Sequence, residues 1–317
     1  MLGLAASGAT RNALTKGMIE NFVIPCPPID VQRHIGKTLM ALERRVESLQ
    51  AIDQSLEAVA RAIFKSWFVD FDPVRAKAEG REPDGMDAAT AALFPSTFLE
   101  DGSAPEGWSI TTLGAVTKRI TKGTTPTTLK RAYVESGINF IKAESLTDAG
   151  FLATTKFSFI DVDTHELLKR SQLQASDVLV TIAGTIGRVA EVTSSVLPAN
   201  TNQAVAIVRP DAALAPASLI KRFLRLLETQ RELGNQTVQA VQANVSLGVL
   251  SALRLVLPPP HVAKCLSALV LEPIDRRVEA NAMQARTLTE LRDALLPRLI
   301  SGKLRVLEAE KMVEAVL

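Results

Sequence analysis

The chain has 317 residues, 47% of them hydrophobic and 22% charged, with a formal net charge of +2. These are globular proportions with length for about two domains, and the near-neutral balance excludes a uniformly basic coat for nucleic acid or an anionic membrane. No run of apolar residues is long enough for a membrane span, and the apolar start Met1-Leu2-Gly3-Leu4 is too short for a signal peptide.

Residues 1–28 begin without a capped first element and read as a loop, a short helix and one strand, Asn21–Ile24, before Pro27-Pro28. Val238–Pro260 repeats this pattern at the close of a complete β-rich region. Residues 1–28 are therefore expected to be the C-terminal remnant of a first such domain, as a truncated or split gene would leave. Cys26 and Cys265 each sit beside a proline entry to a long helix. Two small thiols in such places suggest a reduced, cytoplasmic protein.

Residues 29–69 form the first long element. Ile35, Leu42, Leu49, Leu56 and Ile63 recur every seventh position, and Leu39, Val46, Ala60 and Trp67 fill a second row, with Asp53 as a polar interruption. That a/d pattern predicts a long helix that needs a partner helix. Two amphipathic helices on separate globular cores would be the plainer alternative, but the stripe is too long and narrow to favour it.

Residues 70–106 hold nine acidic side chains against three basic ones, with several prolines and glycines. They read as an ordered, irregular connector with a short helix near Ala88–Leu93, ending in turn chemistry at Pro105-Glu106-Gly107. Residues 107–260 change character. Short apolar runs at Asn139–Ile141, Asp177–Ile182, Arg188–Val192 and Ala204–Val208 alternate with polar turns, which predicts a β-rich domain. One helix is expected at Ala217–Leu233, with Lys221, Arg222 and Arg225 on its surface. The domain carries 16 Lys/Arg against 11 Asp/Glu, and its opening segment Gly107–Tyr133 contains Lys118, Arg119, Lys122, Lys130 and Arg131 but no acid.

Residues 261–317 hold the distal helix and tail, and here the chain repeats itself. Arg44-Arg45-Val46-Glu47 returns as Arg276-Arg277-Val278-Glu279, an offset of 232 that also carries Leu56 onto Leu288, Ala62 onto Ala294, Pro27-Pro28 onto Pro259-Pro260 and Asn12 onto Asn244. A constant offset over this span is an internal repeat. The second copy has apolar rows Ile274, Leu288, Leu295 and Leu271, Val278, Leu299, and Pro273 is expected to restart its helix. The fold class is thus α+β: one β-rich domain flanked by two long helices whose apolar seams call for a partner helix.

No enzyme constellation emerges. His34, His165 and His261 lack metal-ligand spacing, and His34 and His261 suit solvated or capping roles at helix starts. There is no GxxxxGK[ST] phosphate loop, and Ala183-Gly184-Thr185-Ile186-Gly187 lacks dinucleotide spacing and suits a strand turn. An NPPY-type tetrapeptide for a flipped adenine is also missing. Neither catalysis nor a cofactor or metal is expected. What remains is binding: hydroxyls, amides and cations on turns are the groups that read base edges and phosphates. Lys122, Thr124 and Thr125 lie on one such turn, Asn202 and Gln203 on a second, and Gln242 and Asn244 on a third. Each turn alone is equally a solvated loop; together with the basic opening segment they favour a nucleic-acid face.

The stretches LERRVESLQAIDQSLEAVARAIFKSWFVDFDPVRAK, GWSITTLGAV, TIAGTIGR, NTNQAVAI, VSLGVLSALRLVLPPP and LRDALLPRLISGKLRV, in that order, resemble the specificity subunits of type I restriction-modification systems. The resemblance implies target-recognition domains that each read half of a split DNA site, spaced by two helices that form an antiparallel coiled coil and dock methyltransferase subunits. On it, residues 1–28 are the end of a first recognition domain, 29–69 the central conserved helix, 70–106 a connector, 107–260 a target-recognition domain and 261–317 the distal helix and tail. The body of a first recognition domain is missing from this pattern, as in half-sized members that pair as homodimers and read a symmetric site.

The expected function is therefore a non-catalytic subunit that recognises a site on double-stranded DNA and directs adenine methylation and restriction by partner subunits. Those partners are methyltransferase subunits, an endonuclease/translocase subunit, and a second copy through the helices; no membrane is involved. Lys118, Arg119, Lys122 and Arg188 are the candidates for phosphate or guanine contacts, and Asn202, Gln203 and Gln242 are those for base edges. Thr124, Thr125, Lys130 and Asn244 complete the DNA-binding candidates. A structural coiled-coil adaptor whose β-rich domain binds protein is the alternative, and a nuclease with an unrecognised site a more distant one.

Overall fold

The computed structural model describes residues 15–21, 26–235 and 244–316. The strand expected at Asn21–Ile24, Asn12 and Gln242 fall wholly or mostly outside them. A short helix α1 (Lys16–Glu20) comes first, followed by the long α2 (Ile29–Phe68), α3 (Asp72–Ala78) and α4 (Ala88–Ala91). Strands β1 (Ser109–Thr112), β2 (Thr117–Lys122), β3 (Ile138–Ile141) and β4 (Ser158–Ile160) follow, then α5 (Val162–Leu167). After these come β5 (Val178–Thr181), β6 (Val189–Glu191), β7 (Ala199–Thr201), β8 (Val205–Pro210), α6 (Ala217–Leu224), α7 (Leu227–Asn235), α8 (Leu247–Ala252) and β9 (Arg254–Leu257). Helices α9 (Pro260–Leu266), α10 (Glu272–Ile300) and α11 (Val306–Glu314) complete the chain.

Two compact units emerge: Ile52–Ala280, and the described residues up to Ala51 together with those from Asn281 onward. The smaller unit is helical. Ile35, Leu42, Val46 and Leu49 of α2 pack with Leu288, Leu295 and Leu299 of α10, and α11 adds Ala309 and Val313. Arg292 of α10 reaches Glu43 of α2 across this seam. In the larger unit, Arg222 joins Glu57 of α2 to Asp275 of α10.

The seven-residue row holds over only part of α2. Ile35, Leu42 and Leu49 are buried, but Leu56 and Ile63 are only half-buried. Their place is taken by Asp53, Glu57, Ala60, Phe64 and Phe68, whose spacing follows the natural 3.6-residue turn. The physical reason is the change of partner. A single facing helix selects a 3.5-residue stripe, whereas a folded body covers a wider face and releases that constraint. The helical run from Pro260 to Ile300 is not broken at Pro273; it widens into a π turn over Ser267–Leu271 just before it. A proline cannot donate to the preceding turn, and a wider turn absorbs that loss.

In the larger unit, strands run in the order β2-β8-β5-β6, antiparallel throughout. A second sheet, β4-β3-β7, pairs β3 parallel to β7, and β1 pairs with β9. The chain's aromatic residues concentrate where the C-terminal end of α2 meets the connector. Phe64 stacks on Phe68 at 4.9 Å, Trp67 meets Phe94 edge-on at 5.5 Å, and Trp108 meets Phe71 edge-on at 5.7 Å. Each such pair adds roughly 0.5–1.5 kcal/mol beyond its burial, so the acidic stretch 70–106 is held as part of this core.

The helix expected at Ala217–Leu233 is two helices. The last turn of α6 tightens at Arg225, whose N–H reaches both Lys221 O and Arg222 O, and Leu226 turns into the core before α7 starts. Its cations are not on the surface: Lys221 and Arg222 are 5% and 3% exposed, because α6 is sandwiched among acidic partners.

Candidate nucleic-acid interface

Strand register decides which candidate residues meet. Lys122 ends β2 opposite Ala206, and Thr181 ends β5 opposite Val205, near the start of β8. The loop after β2, the loop before β8 and the loop after β5 therefore emerge at one end of the four-stranded sheet. Thr124 N–H donates to Thr201 O at 3.1 Å, and the Thr125 hydroxyl donates to Gln203 Oε1. Gly123 permits this approach, since a Cβ there would overlap the carbonyl oxygens of Thr201 and Asn202. Val245 N–H donates to Ile182 O at 2.9 Å, and Asn244 bridges to Ala183, which brings Asn244 to the same end.

The structure thus gathers Lys122, Thr124, Thr125, Asn202, Gln203, Asn244 and the turn leading to Arg188. Lys122, Gln203 and Asn244 are exposed; Thr124, Thr125, Asn202 and Arg188 are half-buried. Within Asn200-Thr201-Asn202-Gln203 the roles divide. Asn200 is fully buried, meeting His165 Nδ1 through Oδ1 and donating to Leu168 O, and Thr201 donates its hydroxyl to Ile141 O at 2.7 Å. These two hold the scaffold, and His165 belongs to it. Asn202 and Gln203 occupy the rim. Asn202 Oδ1 is buried without a hydrogen-bond partner, and Gln203 spends one oxygen on Thr125.

Lys118 and Arg119 are not part of this cluster. Arg119 pairs with Arg209 near the other end of β2, roughly 10 Å from Lys122 at ~3.3 Å per residue. Both lie on an edge strand, where charge also guards against stray strand pairing. Lys130 is exposed and closes the 3-10 turn Pro126–Leu129 in a left-handed conformation. Arg188 is already engaged: Nε and Nη2 donate to the two oxygens of Asp148 at 2.8 and 3.2 Å. That fork holds the Asp148 carboxyl below its ordinary range.

One cation escaped the reading of the sequence. Arg170, in the 3-10 turn Lys169–Ser171, places Nη2 3.5 Å from Thr121 Oγ1, next to the end of β2. It is exposed, and it lies 49 positions along the chain from Thr121, so only the fold brings the two together. Beyond Lys130, the ring of Tyr133 packs edge-on against Phe140 at 5.4 Å, with the Lys142 ammonium 5.3 Å from its centre. Among the described residues no group of three or more His, Cys, Asp or Glu is placed to hold a metal ion, and no helix is long and apolar enough to cross a membrane.

No family model matches the chain. Among curated proteins it is 25% identical to the type I restriction enzyme HindI specificity subunit of Haemophilus influenzae, over 96% of this chain and 73% of that one. It is 22% identical to the MjaIX specificity subunit of Methanocaldococcus jannaschii, over 96% of this chain and 65% of that one. Among solved structures, the S subunit of a type I restriction-modification system from M. genitalium shares the fold with a TM-score of 0.52 at 13% identity, over 86% of this chain and 61% of that one. The HsdS subunit from Thermoanaerobacter tengcongensis aligns at 21% identity with a TM-score of 0.40, over 95% of this chain and 66% of that one. Along nearly its whole length the chain is similar to the specificity subunits of type I restriction-modification systems, and it shares its fold with a solved example.

Proposed function

We propose that the chain is the DNA-reading, non-catalytic subunit of a type I restriction-modification complex, directing adenine methylation and restriction by partner subunits. The observation that carries this reading is the convergence of three polar loops at one end of the four-stranded sheet, in a chain whose relatives are specificity subunits. In this reading Lys122, Lys130 and Arg170 neutralise phosphates, while Thr124, Thr125, Gln203 and Asn244 face base edges. Asn202 turns its buried amide oxygen outward to join them. Lys118 and Arg119 take backbone phosphates further along the duplex. Arg188 serves there only by exchanging Asp148 for a phosphate or a guanine. Gln242, which lies outside the described residues, stays a candidate for base edges.

The antiparallel helices serve as spacer and dock for methyltransferase subunits, and through them for the endonuclease/translocase subunit. A second copy pairing through the helices supplies the other half-site. Co-expression with a cognate methyltransferase subunit, followed by mapping of methylated adenines in host DNA, tests the whole reading. A symmetric, gapped motif is expected of a homodimer, and an asymmetric one would assign the second half-site to another chain. A soluble complex that leaves no methylated motif would refute the directing role. Purified chain that fails to retain DNA even at low salt would instead favour a protein-binding adaptor.

A further inference from the structure

Within Ile52–Ala280 a buried cluster of charges joins the β-rich body to both long helices. Arg222, whose side chain is 2% exposed, extends Nη1 to Glu57 of α2 and Nη2 to Asp275 of α10. Lys221 reaches Asp275 at 2.5 Å and Glu191 of β6 at 3.9 Å, and Arg225 reaches Glu57 at 3.5 Å. Three cations thus meet three carboxylates from three separate elements.

Burial alone does not require this arrangement. Phe64, Phe68, Leu219, Phe223 and Leu271 already form an apolar contact around it. Taking six charges out of water recovers little net stability, and apolar residues in their place would often hold the elements equally well. What a charge cluster adds is geometric definition. Apolar faces slide; a planar guanidinium that must satisfy carboxylates on two helices at once does not. A shift of one helical position, ~1.5 Å along the axis and ~100° around it, breaks both of Arg222's bonds.

The cluster also extends toward the candidate interface. The guanidinium of Arg225 lies where a Cβ on Gly150 would stand, and Gly150 adopts a positive φ of 96°. Gly150 N–H donates to Thr147 O at 3.1 Å, closing a turn whose Asp148 holds Arg188. A chain of direct contacts therefore runs from Glu57 on α2, through Arg225 and the Thr147–Gly150 turn, to Arg188 beside the recognition loops.

We infer that the Glu57–Arg222–Asp275 cluster is an orienting latch, with Arg222 and Arg225 as positioning residues that set where the recognition loops stand relative to the helix pair. Its structural part stands independently; its consequence for DNA rests on the proposed function. In a type I complex the helices hold the methyltransferase, so this orientation decides which adenine is presented.

The test uses the full chain with Cys26→Ser and Cys265→Ser. Spin labels go on Val59→Cys, an exposed position on α2, and on Leu167→Cys, an exposed position on α5. Pulsed dipolar spectroscopy then reads the distance between helix and body. The parent should give one narrow distance. Arg222→Lys keeps the charge but cannot fork, and Arg222→Met with Glu57→Leu removes the pair. Both are expected to broaden the distribution while cooperative melting is retained. A narrow, unshifted distance in the folded Lys variant overturns the latch. In a DNA arm, Arg222→Lys should lower preference for the methylated motif over random DNA about tenfold while random-DNA affinity stays within about twofold. Broadened distances with unchanged preference would refute the positioning role. A parent that binds no DNA would refute the proposed function and leave the distance result standing.

Discussion

At Gly123 the absence of a side chain lets two loops meet. Gly123→Ala places a methyl against the carbonyls of Thr201 and Asn202, so the loops must part. The expected cost is about 1–3 kcal/mol of overpacking, read as a lower melting temperature together with weaker DNA retention. Asp148 makes a different kind of prediction. Its carboxyl is held below the ordinary range, first by the hydrogen bond from Arg188. Its contribution to stability is therefore present above the usual carboxylate pKa and lost as pH falls through the depressed value. Asp148→Asn should lower the melting temperature slightly at neutral pH and low salt, the difference closing under strong acid; exposure of this pair keeps the effect small. The same change frees the Arg188 guanidinium and should strengthen DNA retention at low salt. Lys122 and Gln203 separate two kinds of contact. Lys122→Ala should weaken binding on all sequences and reduce the salt slope by about one, whereas Gln203→Ala should change the preferred motif.

Among the elements, α2 shows how far a periodic pattern can be trusted. Leu49 is fully buried between helices, and Leu49→Ala is expected to cost ~2–5 kcal/mol in chemical denaturation. Leu56 occupies the next place in the same seven-residue row but is only half-buried, so Leu56→Ala should cost distinctly less. Equal losses at the two positions would restore an unbroken heptad seam. The strands were legible because Val, Ile and Ala runs between polar turns have one reading; β3, β5, β6 and β8 lie within two residues of their expected bounds. Ala217–Leu233 was less so. Charged residues on a helix normally mean solvent, and nothing in the local sequence reports that Glu57 and Asp275, more than fifty positions away on either side, receive them.

For the whole molecule, the repeat at an offset of 232 residues links the two long helices α2 and α10. The candidate interface was legible only in part. Its turns could be recognised by residue type, since Lys, Thr, Asn and Gln are the side chains that suit phosphates and bases. Their grouping could not, because it depends on which strand ends lie side by side. Register sets Lys122, Asn202, Gln203 and Asn244 at one end of a sheet, moves Lys118 and Arg119 away, and adds Arg170.

By itself, the sequence determined the kind of molecule: two related long helices with a β-rich domain between them. Those properties live in local periodicity, turn chemistry and self-similarity, which need no knowledge of distant contacts. Tertiary structure alone decided how the side chains are employed. It turned Asn200 into scaffold, paired Arg188 with Asp148, buried Arg222 between two helices and brought Arg170 to β2. The reason is that a charged or amide side chain has the same local signature whether it meets water, a ligand or a buried partner. Only the packing of remote elements determines which of these it meets.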